Sequence, residues 1–161
     1  MERSLSSLTG TDNYFEDFVA GAAFQHARGK TITEMDGVLL TNLVMNTAEG
    51  HFNEDRMAKG PMGHRIVFGG VTAAMVIGLA MQDTGENALA ELSMDKVRFR
   101  TPVFHGDTLY AYSEVLETSD SARPDAGEVL FRHLGLNQDS KTVFEGERRV
   151  LIKRRSHWGA R

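Results

Sequence analysis

The run VTAAMVIGLAM, residues 71–81, decides the fold of this chain. It is the longest apolar stretch, yet too short to span a bilayer, which takes about 20 apolar residues in a helix. Ala73, Ala74, Gly78 and Ala80 place small residues on every side of the helix it would form, the pattern of a helix buried inside a protein rather than of a membrane anchor. Gly69-Gly70 opens this helix and Asp83-Thr84-Gly85 closes it. A helix with so little polar surface must be covered almost completely, and a curved antiparallel sheet is the natural cover.

The flanking sequence supplies such a sheet. From Met94 onward the pattern turns to long β segments: MDKVRFRTPVF (94–104), HGDTLYAYSEVLE (105–117), GEVLFRHLGLN (127–137) and KTVFEGERRVLIKRR (141–155). Turn-rich pieces such as SARPDAGE and QDS separate them. Upstream, AFQHARGKTIT (23–33) reads as a strand around a Gly-Lys bend. Thr33 and Asp36 then fit a capping box, and Leu39, Leu40, Leu43, Val44 and Ala48 recur at helical spacing, which predicts a helix stopping at Gly50. Residues 51–66 read as irregular. One early strand, two helices and four late strands make an α+β layout: a lead-in over residues 1–13, a single domain over 14–155 and a tail over 156–161.

Composition narrows the chemistry. With 161 residues, 41% of them hydrophobic, one core is large enough to fold without staples. A net charge of -4 disfavours nucleic acid and anionic membrane surfaces as partners. The chain has no cysteine, which excludes disulfides, thiolate nucleophiles and cysteine metal sites and suits a reducing cytoplasm. The polar start MERSLSSLTGTDN lacks the apolar centre of a secretory signal, so a cytoplasmic location is expected. His26, His64, His105, His133 and His157 show no metal-ligand spacing, and no metal is expected.

Four segments together carry a resemblance: YFEDFVAGAAF near the start, the His-centred MNTAEGHFNE (45–54), IVFGG before the apolar helix, and VRFRTPVFHGDTL. Over residues 14–153 the chain resembles the MaoC-like dehydratases of the hotdog fold. The resemblance implies a bent antiparallel sheet around one long helix and a homodimer or higher homo-oligomer. It also implies (R)-specific, reversible addition of water to a 2-enoyl-CoA. Coenzyme A is then part of the substrate, and no cofactor is expected. The MNTAEGHFN variant looks like the branch acting on C5 dicarboxylic esters, including mesaconyl-CoA hydratases that interconvert mesaconyl-CoA and β-methylmalyl-CoA. An acyl-CoA thioesterase and a non-catalytic acyl-CoA-binding protein are the competing readings.

The family signature G-D-x-N-P-x-H aligns its histidine on His51 and its aspartate on Asn46. Histidine is the side chain best suited to general acid-base work at neutral pH, which makes His51 the candidate base. Asn46 can orient water but cannot carry a proton. Glu49, three residues on and expected on the same helix face, is the candidate replacement carboxylate, whereas capping accounts for Asp36. The amides of Gly69 and Gly70, at a helix start, suit a thioester oxygen gaining negative charge. Arg65, Arg98 and Arg100 are candidate cations for a distal carboxylate or for coenzyme A phosphates.

Overall fold

The computed structural model describes residues 5–7 and 13–159. Residues 1–4 and 8–12 of the expected lead-in, and the last two of the expected tail, lie outside the described residues. Five antiparallel strands form one sheet: β1 (Ala23–Thr31), β2 (Ala88–Phe99), β3 (Thr108–Asp120), β4 (Ala126–Leu136) and β5 (Thr142–Lys153), in the order β1-β3-β4-β5-β2. Helix α3 (Gly69–Thr84) lies against β1, β3, β4 and β5. This is the hotdog arrangement that the resemblance implies. Short helices α1 (Glu34–Leu43), α2 (Glu54–Ala58) and α4 (Arg155–Trp158) complete it. Among the described residues no helix is long and apolar enough to cross a membrane.

The core has two parts. Val71 and Val76 of α3 pack with Ile32, Leu109, Val143 and Phe144, all buried. A second cluster joins Phe18 to Val115, Val129, Phe131, Val150 and Ile152, with the Phe18 and Phe131 rings edge to face at 5.1 Å. Strands β3, β4 and β5 alternate buried and partly exposed residues, the period that places one face on the helix. Within the expected lead-in, Asn13 is buried and its side-chain amide donates to the Asp83 carbonyl at 2.8 Å.

Three boundaries differ from the sequence reading. Helix α1 stops at Leu43, not Gly50, because the backbone wraps into a Schellman turn: the Met45 amide donates to Asn42 O at 2.9 Å and the Asn46 amide to Thr41 O at 3.1 Å. Met45 holds the left-handed position, φ 57°, that glycine usually takes. Strand β2 begins at Ala88 rather than Met94, since ladder pairing of Ala88–Ser93 with β5 outweighs the weak β preference of ALAELS. The segment 51–66 contains α2, capped by the Asn53 side chain, which accepts from the Arg56 amide at 3.0 Å. The expected capping box at Thr33 and Asp36 is present.

Outer strand β2 pairs with β5 through three register irregularities, and Lys96 within it has φ 50°. The other outer strand, β1, shifts register between Gln25 and Gly29, and Leu5 bridges to Gln25 on it.

Candidate active site

His51 is placed by a loop that its own backbone fastens. After α1, the Asn46 side chain accepts from the Ala48 amide at 3.1 Å, an Asx turn that leads into a 3-10 turn over Glu49–His51. The Ile66 amide then donates to Gly50 O at 3.1 Å, and the His51 Nδ1–H donates to Ile66 O at 2.8 Å. That second bond sets the ring's tautomer and leaves Nε2 an acceptor with no donor among the described residues. The Phe68 ring lies 5.5 Å from the imidazole and fixes it from the side.

Arg65 holds this loop against α1. Its guanidinium donates to Glu34 at 2.8 Å and to Glu54 at 3.0 Å, and Glu54 also accepts from the Arg65 amide and from His64. Hydrogen bonds from His64 and then from Arg65 hold the Glu54 carboxyl down at about 2. Arg65 is therefore committed to two carboxylates, and it does not line the His51 cavity.

The cavity has a volume of about 330 Å³ and is bounded by His51, Gly69, Thr72, Phe99, Arg100 and an apolar wall that includes Val103 and Val143. Gly69 and Gly70 meet the start of α3 where the helix's own ladder has not begun. Its first donors are Val71 and Thr72, both to Phe68 O, at 2.9 and 3.2 Å. Among the described residues the two glycyl amides thus have no acceptor, at the positive end of a 16-residue helix. Neighbouring rings crowd both positions: a Cβ at Gly69 would lie 3.2 Å from the Phe99 ring, and one at Gly70, at 2.4 Å, would displace the Phe68 ring.

A polar groove of about 420 Å³ adjoins this cavity at Arg100, which lines both. Lys96, Arg98, Arg100 and Arg132 line the groove together with Glu145 and Glu147, four cations to two carboxylates. Arg100 donates to Glu145 at 2.6 Å and Lys96 lies 2.9 Å from Glu147, while the Arg98 guanidinium donates to the Val97 carbonyl and, among the described residues, meets no carboxylate. Among the described residues no cluster of His, Asp and Glu has the makings of a metal site.

A family model described as mesaconyl-CoA hydratase matches residues 6–154. The chain belongs to the mesaconyl-CoA hydratase family. It is 34% identical to a mesaconyl-CoA hydratase of Haloarcula marismortui over 88% of this chain and 42% of the relative. To an (R)-specific enoyl-CoA hydratase of Rhodospirillum rubrum it is 32% identical, over 89% of this chain and 94% of that protein. A solved MaoC-domain dehydratase from Chloroflexus aurantiacus superposes with a TM-score of 0.84 at 30% identity, over 91% of this chain and 46% of that one. The chain thus spans less than half the length of the family's mesaconyl-CoA hydratases that it matches.

The structure brings His51, Gly69 and Arg100 to one cavity, with Gly70 beside it and Arg98 in the adjoining groove. It does not bring Asn46 or Glu49 there. Because α1 ends early, these two share no helix face. Asn46 caps its own turn, and Glu49, about half exposed, is ion-paired with Arg56 on the surface. Two features went unread in the sequence. One is Thr72, hidden inside the apolar run. The other is a polar row across the sheet. The Arg148 guanidinium donates to His133 Nε2 at 3.3 Å, His133 Nδ1 to Ser113 Oγ at 2.7 Å, the Ser113 hydroxyl to His26 Nε2 at 2.7 Å, and His26 Nδ1 to the Asp83 carboxylate at 2.5 Å. Glu91 of β2 completes the row by accepting from Arg148 at 2.7 and 2.8 Å. Burial pushes the pKa of both histidines down, and for His133 the Arg148 charge adds to that effect. At neutral pH the row therefore runs from Arg148 to Asp83 with both rings uncharged.

Proposed function

We propose that this chain is an (R)-specific enoyl-CoA hydratase, reversible in the dehydration direction, with a C5 dicarboxylic ester such as mesaconyl-CoA as its leading substrate. The observation that carries this reading is His51: Nδ1 is engaged by Ile66 O, Nε2 is free, and the ring stands over a cavity that begins at the open amides of α3. In hydration, His51 Nε2 takes a proton from water as the oxygen bonds to C3. The electrons of the double bond move toward the thioester oxygen, where the Gly69 and Gly70 amides and the helix dipole stabilise the developing negative charge. The proton held on Nε2 then passes to C2, so one water is added in full and the base is regenerated. We assign a distal carboxylate to Arg100, which lines the cavity, and the phosphates of coenzyme A to the neighbouring cations of the groove. The names of the relatives support the same class of substrate.

We further infer that copies of this chain associate as a homodimer, a reading supported by its match to about half of the length of a mesaconyl-CoA hydratase and of a solved MaoC-domain dehydratase. Light scattering at twice the 17.8 kDa chain mass is the expected result.

The deciding assay presents mesaconyl-CoA, itaconyl-CoA and crotonyl-CoA side by side, following loss of the conjugated thioester absorbance and release of free thiol. Water addition without thiol is expected. His51→Ala should lower kcat by about 10²- to 10⁴-fold, the span of general acid-base catalysis, while Glu49→Gln should leave it within a few-fold. Full activity in His51→Ala would remove His51 from the mechanism, and thiol release in place of hydration would identify a thioesterase.

A further inference from the structure

Thr72 stands at the fourth residue of α3, 2% exposed, against the same cavity as His51. Buried helix threonines elsewhere in the chain satisfy their hydroxyls by donating to the carbonyl four residues back: Thr41 to Gly37 O at 2.5 Å and Thr84 to Ala80 O at 2.8 Å. The Thr72 hydroxyl makes no such bond, nor any other hydrogen bond among the described residues. No sealed side-chain nitrogen or oxygen among the described residues lacks a partner, so the Thr72 oxygen must reach open space. The open space beside it is the cavity, whose wall is otherwise largely apolar at Ile66, Val67, Pro102, Val103 and Val143. A hydroxyl facing that space is free to bond a water or a substrate oxygen held in the cavity.

We propose that Thr72 is a positioning residue for the hydration step, an inference that rests on the hydratase reading. The attacking water has two hydrogens to place. His51 Nε2 accepts one and removes it as the C3–O bond forms; Thr72 Oγ1 accepts the other and leaves an oxygen lone pair directed at C3. Thr72 neither gains nor loses a proton. It fills the water-holding role that the alignment assigned to the residue at position 46, whose side chain is occupied in its own turn.

The test compares Thr72→Val, which keeps the shape and removes the hydroxyl, with Thr72→Ser, which keeps the hydroxyl. Hydration of crotonyl-CoA and mesaconyl-CoA is measured alongside thermal unfolding. Thr72→Val should lower kcat by about 10- to 100-fold, as misplacement of a reacting group does, with KM and melting temperature close to wild type. Thr72→Ser should return kcat to within about threefold of wild type, since it restores the same hydrogen bond. Thr72→Ala gives the same comparison where valine disturbs folding. Unchanged kcat in folded Thr72→Val, or equal impairment of valine and serine variants, overturns the assignment while leaving the hydratase reading intact. A wild-type protein that hydrates neither ester sinks both.

Discussion

Replacing Ser113 by alanine cuts the polar row across the sheet at its middle. The serine hydroxyl donates to His26 Nε2 and accepts from His133 Nδ1, both at 2.7 Å, so its removal orphans an acceptor and a donor at once. Neither ring can turn to water, because His26 is 1% and His133 0% exposed. Each orphaned group costs about 1–3 kcal/mol, so the variant should lose about 2–6 kcal/mol. That is a large share of the roughly 5–15 kcal/mol typical of a folded domain. Urea unfolding at pH 7.5, followed by circular dichroism, reads the loss as a lower midpoint at unchanged slope. Ser119→Ala, on the same strand and outside the row, is the control and should shift stability by less than about 0.5 kcal/mol. A loss below about 1 kcal/mol in Ser113→Ala would show that the row is not continuous as drawn, and would refute the tautomers assigned to both histidines.

Two further outcomes follow from the same geometry. His26 and His133 have folded pKa values below their ordinary value near 6.5, so the unfolded chain binds protons that the fold refuses. Their contribution is complete above pH 6.5 and is lost as pH falls from there toward the depressed values, with a slope of up to about 1.4 kcal/mol per pH unit for each histidine. Unfolding midpoints measured from pH 8 to pH 5 test this, and a flat profile would contradict it. Gly37→Ala would set a Cβ 2.2 Å from His105 Nε2, and should cost about 1–3 kcal/mol by overpacking, whereas Gly78→Ala, with nothing within 4 Å, should be neutral or stabilising. The reverse ranking in thermal unfolding would refute the contact.

Most of the fold was legible because the residues that build it obey one period at a time. The apolar run 71–81 announced α3, and the three long β segments set apart by turn-rich pieces announced β3, β4 and β5. The first half of β2 was not legible, because Ala88–Ser93 is held by its ladder to β5 rather than by its own preference. The end of α1 was hidden because Met45 takes a left-handed position without being glycine. That single turn decided the fate of the site reading. His51, Gly69 and Arg100 meet in space, but Glu49 leaves the helix face on which its role depended. Thr72 gave no signal, since one threonine in an apolar helix has the same appearance whether its hydroxyl bonds backward or faces a cavity. His26 and His133, 107 positions apart in the chain, are linked by hydrogen bonds through Ser113, a connection that no local pattern signals.

Both margins of the sheet are uneven, and this bears on how copies of the chain can meet. A straight outer strand offers a regular row of amides and carbonyls that any extended segment can join, and then another, without limit. Here β2 is broken at three points and turns over at Lys96, while β1 shifts at its centre and carries Leu5 at Gln25. A segment adding to either margin has to reproduce the same interruptions in the same places. Such interruptions blunt both edges against open-ended stacking into fibrils.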